Sequence, residues 1–68
     1  MKFREFEKVR IKKTGLTGTI VDISRGLYIV ESDVENPDIP GGYGNRFPLF
    51  DCKESEIEHI EPKDEKVT

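Results

Sequence analysis

The chain has 68 residues, 34% of them hydrophobic and 37% charged, with a formal net charge of −3. A chain of this size forms one domain that buries roughly 60% of its unfolded surface, and its one cysteine, Cys52, excludes an intrachain disulfide. No apolar run approaches the about 20 residues that a membrane span needs, and Met1 to Glu5 lacks an apolar stretch of signal-peptide type, so a monomeric, cytoplasmic, non-membrane protein is the expectation.

Residues 1–7 place Phe3 and Phe6 in a charged background, and Phe6 is expected to tuck under the barrel as the chain enters the first strand. Lys8-Val9-Arg10-Ile11-Lys12 alternates polar and apolar, the period of a strand with one buried face. Val9 and Ile11 then point inward. Lys13 to Thr17 makes a corner, where Gly15 and Gly18 suit a reversal with positive φ. Gly18 to Ile23 is β-branched and reads as a second strand. Its adjacent apolar pair, Ile20-Val21, breaks the alternation as a bent or bulged strand does. Ser24-Arg25-Gly26 reads as a tight hairpin turn into a third strand, Leu27 to Glu31.

The pattern then stops. Ser32 to Asn45 is a long acidic and glycine-rich connection with Pro40-Gly41 at a type II turn. Arg46 to Cys52 resumes as a fourth strand, with Pro48 marking a sheet edge, a strand start or a bulge. Lys53 to Glu56 reads as one 3₁₀ turn and Ile57 to Ile60 as a short closing strand. Pro62 ends the domain, which spans 1–62, and 63–68 is a charged tail. The expected fold is all-β: a small, strongly bent five-stranded barrel with one 3₁₀ turn before the last strand, closed so that no sheet edge is exposed.

Over about residues 6–31 the chain resembles the SH3-like barrel in its KOW-like form. The resemblance lies in Val9 and Ile11, then Gly15 and Gly18, then Ile20 and Ile23, then Tyr28-Ile29-Val30-Glu31. Glu7-Lys8 stands where the motif has Gly-Asp, and the long acidic loop has no counterpart in it. The resemblance implies contacts with protein partners or RNA, the RNA contacts in ribosomal or transcription-elongation machinery, and grooves that take extended or Pro-rich peptides on aromatic surfaces.

Two function classes follow. The first is a non-catalytic module that binds a protein or peptide through Tyr28, Tyr43, Phe47 and Phe50. These fall on the third strand, the long loop and the fourth strand, and glycine-flanked Tyr43 is expected to be exposed. The second is an RNA, ribosome or transcription-machinery contact through Lys8, Arg10, Lys12, Lys13, Arg25 and Arg46. Residues 1–13 hold six basic side chains against two acidic, whereas 14–68 hold five against twelve, so overall acidity disfavours non-specific phosphate binding. The second reading needs those side chains to converge on one face.

No catalytic constellation is present in the sequence. Cys52 reads as a small buried hydrophobe, and His59 as a strand-surface residue without a partner nucleophile. Asp33, Glu35 and Asp38 do not match a cation-binding spacing and read as a solvated loop. Gly41-Gly42-Tyr43-Gly44 lacks the Lys-Ser/Thr and the helix of a phosphate-binding loop. No cofactor or metal is expected.

Overall fold

A computed structural model describes residues 2–60. The elements are β1 (Lys8–Ile11), β2 (Thr17–Ser24), β3 (Leu27–Ser32), β4 (Leu49–Cys52), the 3₁₀ turn η1 (Glu54–Glu56) and β5 (Ile57–His59). The strands form one antiparallel sheet in the order β4-β3-β2-β1-β5. The fold is therefore all-β with one 3₁₀ turn, as the alternation predicts. The sheet is not closed: among the described residues no ladder joins β4 to β5. The expected closure gives way to an open seam between the two end strands of the order, β4 and β5.

The β2–β3 register slips between Ile20 and Asp22, so Val21 is the extra residue of a bulge at the expected place. The bulge bends the longest strand and lets β2 serve both halves of the sheet. Arg25 and Gly26 form a two-residue hairpin with φ of 54° and 80°, the doubly left-handed turn whose twist matches paired strands.

Gly18 departs from its expected role. Its φ is not positive, unlike that of Gly15 at 79°. A Cβ on Gly18 would overlap the Glu31 carbonyl oxygen and lie 2.6 Å from Val30 Cγ1. Glycine is required there for close approach of β2 to β3.

The core gathers the inward residues of every strand: Val9, Ile11, Ile20, Tyr28, Val30, Phe50, Cys52 and Ile57, with Leu16 from the corner. Phe3 completes it at 1% exposure, its ring edge-on to Tyr28 at 5.4 Å and tilted against His59 at 4.4 Å. The N-terminal arm thus covers the core between β3 and β5. Phe6, expected to tuck under the barrel, is 74% exposed. The cause is a reversal at Arg4 to Glu7, in which the Glu7 N–H donates to the Arg4 carbonyl and the Arg4 N–H to Glu7 Oε1. Phe6 takes φ 71°, and its N–H donates to the Ile20 carbonyl, whose own N–H donates to Glu7. The backbone is held there while the ring stays in water.

β4 begins at Leu49, not Arg46, because Pro48 has no N–H to give a ladder; its carbonyl still accepts from Ser32. β5 ends at His59. The expected boundary at Pro62 and the tail 63–68 lie outside the described residues. Among the described residues no helix is long and apolar enough to cross a membrane.

Candidate binding groove

The long connection between β3 and β4 folds back along β4. The Tyr43 N–H donates to the Leu49 carbonyl and the Leu49 N–H to the Tyr43 carbonyl, a one-residue bridge on the outer edge of β4. Gly42 sits against Phe50 and Pro48 so closely that a Cβ would come within 2.7 Å of Phe50 Cζ. The Tyr43 hydroxyl donates to Asp51 Oδ1 at 2.6 Å. This hydrogen bond and the nearby Asp51 charge raise the Tyr43 pKa above its ordinary value, since both favour the protonated phenol.

A groove of about 540 Å³ lies between this loop, β4, the β1–β2 corner and η1. Its floor is Ile11, Ile39, Phe50 and Cys52, and Lys12, Lys13, Asp51 and Glu56 stand at its rim. Burial, helped by the charges of Glu56 and Asp51, pushes the Cys52 thiol up to about 11, which disfavours the thiolate form at neutral pH. Glu56 Oε1 accepts the Lys53 N–H at 2.7 Å and fixes the start of η1.

The four aromatic candidates do not form one surface. Tyr43 is 46% exposed, as expected; it does not line the groove and is tied to it only through the bond of its hydroxyl to Asp51. Phe50 is mostly buried but contributes to the groove floor. Phe47 is exposed on a second hollow of about 390 Å³ with Glu31, Arg46 and Leu49, under the Arg46 guanidinium at 6.0 Å. Tyr28 belongs to the core at 3% exposure, because it shares the inward face of β3 with Val30 and Ser32. It is corrected from a surface contact to a packing residue.

The basic candidates also disperse. Lys8 pairs with Asp33 at 2.6 Å, Arg10 with Glu58 at 3.2 Å and Arg46 with Glu35 at 3.3 Å. Lys12 and Lys13 are at the groove rim, and Arg25 is at the β2–β3 turn. Convergence on one basic face is absent among the described residues. His59 Nε2 lies 3.4 Å from Glu7 Oε1, engaged with the arm and not with Cys52.

Sequence reasoning missed Ile39, Pro40, Glu56 and Cys52 as groove residues. The only local signal was Ile39-Pro40-Gly41, an apolar residue before a turn within an otherwise polar loop. Comparison of the chain with protein-family models, curated proteins and solved structures finds no match.

Proposed function

We propose that this chain is an SH3-like, KOW-like module without catalytic activity that binds an extended peptide of a protein partner, as a cytoplasmic monomer. The observation that carries this reading is the groove, where an apolar floor of Ile11, Ile39, Phe50 and Cys52 is set among charged side chains. The strand order, the bulged β2 shared by both halves of the sheet and the 3₁₀ turn before β5 support the SH3-like assignment. The pairing of Lys8, Arg10 and Arg46 with carboxylates weighs against a nucleic-acid contact, since three of six basic candidates already have partners.

The test is an amide NMR titration of the full chain, in parallel with a mixed peptide library and with short RNA and DNA oligonucleotides at low salt. Peptide-induced shifts at Thr14, Gly41, Asp51 and Ser55 support the module. Salt-sensitive oligonucleotide shifts along 8–13, with no peptide response, overturn it.

A further inference from the structure

We infer that the outer face of β2, β3 and β4, the side of the sheet turned away from the core, docks a basic segment of a protein partner, with Lys or Arg side chains meeting Asp22 and Asp51 and an apolar side chain laid on Ile29 and Leu49. This surface is separate from the groove and does not rest on the peptide-binding reading above.

Strand register builds the face. Ile20, Val30 and Phe50 lie opposite one another and are buried. The neighbouring row of the ladder, Asp22, Ile29 and Asp51, has the other parity and points outward. Asp22 and Asp51 are exposed and Ile29 is half-buried. Glu31 and Leu49 pair in the next outward row, which runs into the hollow at Phe47. The Tyr43 hydroxyl reaches the same face at Asp51. The charge of Asp22, across β3, adds to the hydrogen bond and charge of Asp51 in raising the Tyr43 pKa. The two carboxylates therefore act on one patch.

Charge selects the occupant. Asp22, Glu31 and Asp51 join no ion pair among the described residues. The cations that border the face are already committed. Lys8 lies opposite Thr19, in the row of Glu31 and Leu49, and pairs with Asp33; Arg46 pairs with Glu35. Arg25, in the hairpin turn, and Lys53, after β4, form no ion pair with the three carboxylates. Phosphate backbones and anionic membrane surfaces meet like charge here. A basic protein segment meets opposite charge on both sides of Ile29, and its apolar residue covers Ile29 and Leu49. Adjacent strands are about 4.8 Å apart, so the backbones of Asp22 and Asp51 stand about 10 Å apart and the segment presents one cation to each.

The experiment is an NMR titration of the full chain with three capped hexapeptides that share a central Leu-Val, flanked on both sides by Lys, by Ser or by Asp, and with a short mixed RNA. The lysine peptide is expected to shift the amides of Asp22, Ile29 and Glu31 with an affinity about fivefold or more above the serine peptide. That advantage is expected to shrink as salt rises from about 0.05 M to about 0.5 M. The aspartate peptide and the RNA are expected to leave these amides unshifted. The double substitution Asp22→Asn and Asp51→Asn is expected to remove the lysine advantage, while the urea midpoint stays level or rises because two like charges leave one face. Equal affinity of the lysine and serine peptides, an advantage insensitive to salt, or one that survives the double substitution overturns the proposal. Lysine-peptide shifts confined to the groove amides of Thr14, Gly41 and Ser55 also overturn it, and they support the groove reading instead. RNA shifts on this face overturn it in favour of nucleic acid, and shifts that depend on protein concentration without peptide assign the face to a second copy of the chain. Silence of the face toward every peptide overturns it whatever the groove amides do.

Discussion

Gly18 on β2 and Glu31 on β3 approach so closely that the space for a Cβ on the first is filled by the carbonyl oxygen of the second. That contact lies beside the pairing of Gly18 with Ser32, where β3 gives way to the long loop. Gly18→Ala is therefore expected to cost about 1–3 kcal/mol through overpacking against backbone. Gly26→Asn, at a left-handed turn with open space around the missing Cβ, is expected to cost far less. Urea midpoints for the two variants check this; an unchanged Gly18→Ala midpoint counts against the contact.

Phe3 and Phe6 are three residues apart and have opposite fates. Phe3→Ala removes a fully buried ring that covers Tyr28 and His59, and it is expected to cost about 3–5 kcal/mol. That is a large share of the stability of a domain this small. Phe6→Ala is expected to stay within about 0.5 kcal/mol of wild type, since its ring is mostly in water. Equal losses in chemical denaturation overturn the placement of the arm.

Glu7 ties the arm to β5. The Arg4 amide is the main cause that lowers its pKa, and His59 adds to it against the opposing effect of desolvation. A carboxylate whose folded pKa lies below its unfolded value stabilises the fold above the ordinary glutamate range. The contribution is lost as pH falls through the folded value. The stability difference between wild type and Glu7→Gln is thus expected to shrink as pH drops from about 6 toward about 3, measured by urea midpoints.

Cys52 lies in the core with its thiol pushed up to about 11. Iodoacetamide at mildly alkaline pH is expected to modify the native chain at least about tenfold more slowly than the urea-unfolded chain. Comparable rates mean that the groove floor opens to solvent.

Tyr43 is held by Asp51 but does not support the core. Tyr43→Ala is expected to shift stability by less than about 1 kcal/mol. Asp51→Asn is expected to bring the Tyr43 pKa down toward its ordinary value, because it removes both the charged acceptor and its field. A pH titration of the Tyr43 ring by NMR reads the second effect directly.

The strands were legible because each carries its own periodicity. Val9 and Ile11 alternate with charged residues, and Ile20-Val21 breaks alternation where the bulge sits. The turns at Arg25-Gly26 and before Ile57 were readable from local chemistry. The site was less legible. Tyr43 and Tyr28 are the same residue type, and only strand parity and the fold-back of the loop put one in water and the other in the core. The groove joins Ile11, Ile39 and Phe50, which lie far apart along the chain, and no local pattern encodes such a meeting.

The sequence by itself determined an all-β chain of five short strands, a bulge, a tight hairpin and one 3₁₀ turn, because these depend on neighbours within a few residues. Tertiary structure alone decided that, among the described residues, the sheet stays open between β4 and β5, that Phe3 and not Phe6 completes the core, and that Gly18 serves close approach instead of a positive φ. It also decided that half of the basic candidates are paired with carboxylates. Each of these depends on how segments distant in the chain share space, where packing and Coulombic pairing act between residues that no sequence window contains together.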